Sequence, residues 1–194
     1  MYQFRLVRTI SQRKDVFAIR YQVYAEEKGW VETNDSGLEY DNWDHFSTLF
    51  VACNGEKTVG TVRMIENSPL GFPFESSVPL PSDINPSEFY EVSRLAVIET
   101  ERGQRSMILV GLVRAVWRVA DRLNKKEWCA VVDQPVSRLL KLLGFKFRFE
   151  GKPVFHLGSL SVPLICTMEA SRAILFNKNA DKLLANHMEE AYEN

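Results

Sequence analysis

The spacing of apolar positions changes along the chain, and each change marks a predicted element. Residues 2–7 alternate between apolar and polar side chains, which indicates a first strand. Apolar side chains then recur every three or four residues from Val16 to Val23. We therefore predict a helix that Ser11 caps and that runs to about Lys28.

The rest of the chain alternates strands with helices. We predict a hairpin of strands over 46–53 and 57–65 that turns at Asn54–Gly55, followed by a strand over 88–98. Helices are predicted over 107–123 and 135–143, with a strand over 128–132 between them. A strand that begins at Phe145 and a last strand over 158–168, broken at Pro163, follow. This order favours an α/β (α+β) fold, in which a mixed, twisted sheet carries helices on both faces. We expect a single domain over residues 1–168 and a polar helical tail over 169–194.

Composition removes several functional classes. The chain has 194 residues with a net charge of −1, so no global basic field attracts nucleic acid. Three separated cysteines form neither a disulfide framework nor a zinc motif. The first residues lack the apolar core of a signal peptide, and no apolar run approaches the roughly 20 residues of a membrane span. We therefore expect a cytoplasmic protein without a transmembrane segment.

The strand over 88–98 carries more polar chemistry than a strand in mid-chain usually does. Glu91, Ser93 and Arg94 interrupt its aromatic and β-branched residues. Charges inside a sheet cost free energy unless they have partners. This strand is therefore either the floor of a functional site or an edge strand with one face in solvent.

An acidic loop follows the first helix. Glu39, Asp41 and Asp44 lie within residues 30–45, together with tryptophans that tie the loop to the protein body. The acids are either functional or simply keep the loop soluble, and their spacing does not match a helix–loop–helix calcium site. In the proline-rich stretch over 66–87, Phe72 and Phe74 either line an apolar pocket or fill the edge of the core.

The second half of the chain resembles the GNAT acyltransferases. The segment RLLKLLGF, residues 138–145, is similar to a helix-then-Leu-Gly-Phe signature of that fold. The GNAT fold presents acyl-CoA with a glycine-rich loop at a helix N-terminus. Here the matching stretch, residues 102–106, has one glycine, which argues against CoA as the carrier of the donor.

The first hundred residues resemble the acyl-homoserine-lactone synthases and the related N-acyl amino acid synthases. Four motifs of that family occur in the right order, although a tyrosine stands where lactone synthases have phenylalanine. The matching residues are Arg20, Tyr24 and Trp30; Glu39, Asp41 and Asp44 of an ExDxxD motif; a strand arginine at Arg63; and Glu91 and Arg94 of an ExxR motif.

The resemblance implies a GNAT-like, mostly antiparallel sheet and the transfer of a fatty acyl group to an amine. It implies that Glu91 is the general base and that a backbone N–H near Ala96 or Val97 binds the thioester carbonyl. The alternative for Glu91 is a structural ion pair with Arg94 or Arg20. The pantetheine arm would enter between residues 91–98 and the strand that holds Val131, and an acyl tunnel would be lined by Phe72, Phe74 and Leu112. Arg20, Arg63 and Arg94 would form a network with the acidic loop, and one of these groups would hold the acceptor beside Trp30.

The implied donor is an acyl-phosphopantetheine on acyl carrier protein, with no bound cofactor and no metal. The implied acceptor is a small amine such as an amino acid. Because carrier protein is acidic, we expect a basic docking surface; its candidates are Arg102, Arg105, Arg114, Arg118, Lys125, Lys126 and Lys141. Three alternatives remain open: a lactone synthase that uses S-adenosylmethionine, an acyl-CoA-dependent enzyme, and a non-catalytic acyl-carrier or ligand-binding module.

Overall fold

The computed structural model describes residues 1–185, which build one mixed sheet of eight strands. The strands are β1 (Tyr2–Leu6), β2 (Ser47–Asn54), β3 (Lys57–Ile65), β4 (Phe89–Val97), β5 (Glu127–Asp133), β6 (Phe149–Glu150), β7 (Val154–His156) and β8 (Ser159–Thr167). Their order is β1-β2-β3-β4-β5-β8-β6, and β7 also pairs with β8. The β4–β5 pair is parallel and every other pair is antiparallel. The predicted mixed, mostly antiparallel sheet is therefore confirmed.

In the described part of the chain, five α-helices pack around this sheet: α1 (Ile10–Tyr21), α2 (Arg105–Arg122), α3 (Gln134–Leu142), α4 (Met168–Leu175) and α5 (Lys178–Ala185). Leu49 and Val51 of β2 lie in a cluster with Val16 of α1. Phe50 of β2 belongs to the core that includes residues of α2. Because side chains alternate along a strand, α1 and α2 cover opposite faces of the sheet.

Close contact between α2 and the sheet depends on a glycine. A Cβ atom on Gly111 of α2 would lie 2.1 Å from the ring of Phe4 in β1. The missing side chain lets the helix approach the strand that starts the chain. This close packing fixes the position of α2, which forms one wall of the cavity between β4 and β5.

The first helix starts earlier than predicted and ends in an unusual turn. Thr9, rather than Ser11, is its N-cap, because the Thr9 side chain accepts from Gln12 N at 3.2 Å. The Gln12 side chain returns this contact at the Thr9 backbone. After Tyr21 the chain continues as a π-helical turn over Gln22–Glu27. Such turns are often found at functional sites.

The predicted break at Pro163 is wrong. β8 runs through this proline and pairs with β5 along its length. The Pro163 carbonyl accepts from Gly151 N at 2.8 Å on the other side of β8, between the parts of the strand that pair with β6 and β7. The missing N–H of proline faces this same gap, so it removes no bond of the ladder.

Two further expectations are met only in part. The strand predicted from Phe145 is limited to β6, four residues later. The predicted helical tail contains α5 and nearly all of α4, while its last part, residues 186–194, lies outside the described residues. Over residues 1–185, no helix is long and apolar enough to cross a membrane.

Candidate active site

The site begins where two parallel strands separate. β4 pairs with β5 only at Phe89, Tyr90 and Glu91, which lie opposite Glu127, Trp128 and Cys129. Beyond these pairs the strands diverge, and a cavity opens between them. The cavity encloses about 1140 Å³ including its open mouth, and its walls come from both strands and from helices α2 and α3.

A β-bulge in β4 shapes one wall of this cavity. Thr61 of β3 lies opposite Ala96, whereas Arg63 lies opposite Ser93, so β4 has one extra residue. Arg94 occupies this extra position. Its φ is 53°, in the left-handed region that residues other than glycine rarely adopt. Bulges redirect side chains next to active sites. Here both Ser93 and Arg94 turn toward the same charged cluster, which a regular strand would not permit.

Glu91 is the buried acid of the cavity. Its side chain is 2% exposed, and its Oε2 accepts from the backbone N of Phe74 at 2.7 Å. Burial raises the pKa of Glu91 to about 8, although the Phe74 hydrogen bond and the charges of Arg63 and Arg94 act in the opposite direction. Each ion pair of Arg20 and Arg94 within residues 1–185 is with another acid. The geometry therefore does not support the alternative in which Glu91 is a structural partner of either arginine.

The acidic loop is fastened to the first helix by Arg20. This guanidinium is fully buried and binds Glu39 through Nε and Asp44 through Nη1 at 2.7 Å and Nη2 at 3.0 Å. Burial opposes ionisation of Asp44, but Arg20 and Arg63 hold the pKa of that carboxyl below its usual range. The predicted pairing of the helix with the ExDxxD residues is therefore present in the fold.

Two strand arginines complete the charge network. Arg63 Nη1 binds Asp41 at 2.6 Å, and Arg94 binds Glu39 through Nε at 3.0 Å and Asp41 through Nη2 at 2.8 Å. Arg63 Nε also donates to Ser93 Oγ at 3.1 Å. Within residues 1–185, Arg63 Nη2 is a buried nitrogen without a hydrogen-bond partner. The network thus joins α1, the acidic loop, β3 and β4 around one side of the cavity.

Tyr24 connects the π-helical turn to β4. Its hydroxyl donates to the backbone oxygen of Leu95 at 3.0 Å, and its ring stacks on Trp30 with centroids 5.7 Å apart. Burial raises the pKa of Tyr24, so the hydroxyl remains a donor. Trp30 also lines the cavity. The helix end therefore supports the strand at the level where β4 and β5 separate.

One backbone N–H of β4 is directed into the cleft. Ile98 N donates to Val59 O of β3 at 3.1 Å. Because successive backbone groups of a strand point in opposite directions, the Val97 N–H faces away from β3 and toward the cleft. Val97 lines the cavity, whereas Ala96 is absent from its lining. Of the two predicted carbonyl donors, the geometry therefore favours Val97.

The deeper walls of the cavity are apolar. Val131 lies among them, between the separated strands, as the resemblance implies. The apolar lining is Val23, Trp30, Val62, Val92, Leu95, Val97, Leu109, Val113, Trp128, Ala130, Val131, Val132, Val136, Leu140 and Leu157. Phe72, Phe74 and Leu112 do not line this cavity. They are at most 3% exposed: both phenylalanines pack in a cluster with Ile65 and Phe89, and Leu112 belongs to the main core.

The predicted basic docking surface is smaller than expected. Arg114 is buried and donates to Leu175 O at 3.0 Å, and buried Lys125 donates to Ser87 O at 2.9 Å. These two residues brace the fold and are unsuited to docking. Arg102 and Arg105 do line the mouth of the cavity, together with Lys28.

Sequence reasoning missed three ionisable residues of the cavity, Lys28, Asp133 and His156. His156, at the end of β7, lines the same space as Glu91 and Arg94. Its Nδ1 lies 3.2 Å from Ser77 Oγ in the proline-rich loop. Leu157 and Gly158 follow with φ of 44° and 71°, which makes a tight turn into β8. His156 belongs to no sequence motif. The glycine at position 158 is the one sequence signal for a hairpin here, and it could have indicated that His156 lies at the end of a strand.

Comparisons with known proteins agree with this geometry. The model of the FeeM N-acyl amino acid synthase family matches residues 15–154. An acyl-homoserine-lactone synthase of Aeromonas hydrophila is 28% identical over 141 residues, which cover 67% of each chain. The crystal structure of the AHL synthase LasI has a TM-score of 0.73 at 18% identity, covering 91% of this chain and 94% of its own.

A third comparison concerns a structure with bound substrates. The CoA-dependent acyl-homoserine lactone synthase BjaI, solved with SAM and isopentyl-CoA, has a TM-score of 0.71 at 16% identity and covers 94% of this chain and 90% of its own. These structural likenesses establish the fold, which is GNAT-like. The family model spans most of the chain, so this protein belongs to the FeeM N-acyl amino acid synthase family and is an acyltransferase.

Proposed function

We propose that this enzyme transfers a fatty acyl group from the thioester of acyl carrier protein to the amine of an amino acid or a similar small acceptor. One observation carries the proposal. Glu91, whose pKa burial raises to about 8, lies in a cleft that also presents the Val97 N–H and a long apolar wall. Amide formation from a thioester needs a base, a carbonyl donor and a site for the chain in this proximity.

In the proposed reaction, the thioester carbonyl accepts a hydrogen bond from Val97 N. The amine attacks the carbonyl carbon, a C–N bond forms, and Glu91 takes the proton that the nitrogen loses. The oxyanion then collapses, the C–S bond breaks, and the thiolate leaves. The proton held by Glu91 returns to the thiolate through solvent, so amide and free thiol are the products. A carboxyl with a pKa near 8 is a better base than an ordinary glutamate.

The charge network would hold this arrangement in place. Arg20, Arg63 and Arg94 are paired with the acidic loop, so we assign them chiefly to positioning β4 and the loop beside the cleft. Two nitrogens of the network lack a protein partner within residues 1–185: Arg63 Nη2 and Arg94 Nη1. Arg94 lines the cavity and Arg63 does not, so Arg94 Nη1 is the candidate for contact with the acceptor.

Carrier protein is favoured over CoA as the donor's carrier by the loop before α2. With one glycine in residues 102–106, side chains limit the close approach of a pyrophosphate to the backbone N–H groups of this loop. Arg102, Arg105 and Lys28 at the mouth suit the single phosphate of a pantetheine arm and an acidic partner. Three buried free cysteines fit a reducing, cytoplasmic setting for this reaction.

A lactone synthase that uses S-adenosylmethionine is the second candidate. It is favoured by the likeness to the Aeromonas hydrophila enzyme and to the LasI fold. The family model that matches the chain describes N-acyl amino acid synthases, and for this reason we place an amino acid acceptor first.

A single experiment separates the candidates. The protein is incubated with carrier protein charged with acyl chains of several lengths, together with pooled amino acids or S-adenosylmethionine, and the products are identified by mass. We expect N-acyl amino acids. An acyl-homoserine lactone would establish the second candidate, and equal or faster turnover with acyl-CoA would refute the choice of carrier.

The base assignment is tested by Glu91→Gln, which keeps the acceptor of the Phe74 hydrogen bond but removes the base. We expect kcat to fall by roughly 10²–10⁴ while the protein stays folded. Glu88→Gln makes the same chemical change at an exposed position three residues earlier and should leave the rate unchanged. A rate near that of the wild type for Glu91→Gln would remove Glu91 from this role.

A further inference from the structure

The cavity has two nitrogens that lack a hydrogen-bond partner among the described residues. Arg94 donates through Nε and Nη2 to Glu39 and Asp41, which leaves Nη1 without a hydrogen bond among residues 1–185. His156 contacts Ser77 through Nδ1, and its Nε2 has no hydrogen bond among residues 1–185. Both residues line the cavity that contains Glu91.

His156 is held firmly in this position. On one side, the Ser77 hydroxyl fixes Nδ1 from the proline-rich loop. On the other side, a Cβ on Gly158 would lie 2.4 Å from Trp30 Cα, so the turn after His156 packs directly against the acidic loop's first residues. The left-handed Leu157 directly after it is also strained. Strain of this kind persists only where the surroundings fix the backbone, and it clusters at functional sites.

The unused hydrogen-bonding groups favour a carboxylate between these two residues. Burial and the positive charge of Arg94 lower the pKa of His156, which favours the neutral ring. Because the charge of Arg94 is already paired with Glu39 and Asp41, an added carboxylate would be held by hydrogen bonds from Arg94 Nη1 and from an imidazole N–H. Ser159 and Ser161, which also line the cavity, supply further hydroxyl groups at this end.

We propose that His156, together with Arg94, binds the carboxylate of the acceptor, so that the enzyme selects amines that carry a carboxylate. The inference rests on the proposed function for the identity of the acceptor as an amine. It makes His156 a specificity residue, and it restricts the acceptor class to amino acids and their carboxylate-bearing derivatives.

Two product analogues isolate the carboxylate in a binding test without turnover. N-dodecanoylglycine and N-dodecanoylglycinamide differ only in a carboxylate against a carboxamide, and their affinities are measured by titration calorimetry. We expect the wild type to prefer the carboxylate at least tenfold, and His156→Ala to lose most of this preference. Affinity for the amide should be unchanged in the variant, which shows that the cavity is still folded.

A matched control is His45→Gln, since His45 is exposed and does not line the cavity. This variant should keep the full preference. In nitrogen-15 spectra of the three histidines, the carboxylate probe should shift the ring signals that His156→Gln removes, and the amide probe should not. A wild type without preference, or without affinity for either probe, overturns the proposal.

The result can be separated from a failure of the proposed function. If the enzyme acylates amines that lack a carboxylate equally well, acyl transfer stands and the role of His156 falls. If no transfer is found but the carboxylate preference depends on His156, the binding role stands and the reaction must be revised. If His156→Ala lowers kcat and keeps the preference, His156 acts in proton transfer and the proposal is refuted.

Discussion

The burial of Glu91 should be visible as a change of folding stability with pH. Burial raises the pKa of this carboxyl from 4.5 to about 8 in the folded protein. Between these two values the folded state retains a proton that the unfolded chain has released. Stability therefore falls as pH rises from about 4.5, and the loss is complete slightly above pH 8. A raised carboxyl pKa thus acts in the opposite direction to an ordinary ion-paired acid.

The size of the effect follows from the difference in pKa. The change from 4.5 to about 8 is 3.5 pKa units, and each unit corresponds to about 1.4 kcal/mol. The wild type should therefore lose about 5 kcal/mol from this single group between pH 4.5 and pH 9. The glutamine in Glu91→Gln cannot ionise, and it keeps an acceptor for Phe74 N. The unfolding free energy of this variant should therefore not show the loss of about 5 kcal/mol with rising pH.

The assay is urea unfolding of both proteins at unit steps from pH 5 to pH 9, followed by tryptophan fluorescence. The difference in unfolding free energy between wild type and Glu91→Gln removes the contributions of the groups that do not interact with Glu91. Glu88→Gln, at an exposed position, should run parallel to the wild type. Parallel curves for Glu91→Gln would refute the argument from burial, and a wild type that gains stability with pH would show that the arginines dominate.

Three further outcomes are expected. Arg20→Gln should cost about 3–5 kcal/mol, because Glu39 and Asp44 each lose one of their two arginine partners, and adding Asp44→Asn should recover part of the loss in denaturant unfolding. Val113→Phe, which fills part of the apolar wall, should shift the product profile seen by mass spectrometry toward shorter acyl chains; an unchanged profile would place the chain elsewhere. Gly158→Ala should lose more than about 1 kcal/mol, because it adds a Cβ at a φ of 71° and at 2.4 Å from Trp30, and a thermal melt equal to the wild type would contradict that packing.

Much of the fold could be predicted because local patterns determine it. The apolar runs of β2 and β3 and the apolar stripe of α2 are properties of neighbouring residues. The hairpin turn was also predicted, although the structure places it at Gly55–Glu56, one residue after the predicted Asn54–Gly55. The charge network could be predicted only as a group of residues. Arg20 and Asp44 are 24 residues apart, and their bidentate contact depends on the path of a loop that no periodicity describes.

The failures have similar physical causes. Phe72 and Phe74 are apolar residues in a long loop, and sequence alone could not distinguish a tunnel wall from a core plug. His156 was missed because its neighbours in space, Arg94 and Ser77, are distant in sequence. Pro163 was misread because a proline breaks a strand only where its missing N–H would have been used, and that depends on the neighbouring strand.

The extra residue in β4 has a consequence for insertions and deletions. Removing Arg94 alone would restore a regular ladder with β3, and the sheet could close without loss of pairing. The pairs on both sides, Ser93 with Arg63 and Ala96 with Thr61, would be kept, so the Val97 N–H would still face the cleft. Glu39 and Asp41 would lose the guanidinium that binds them both. The extra residue therefore adds one charged side chain to the network without changing the direction of the backbone groups on either side of it.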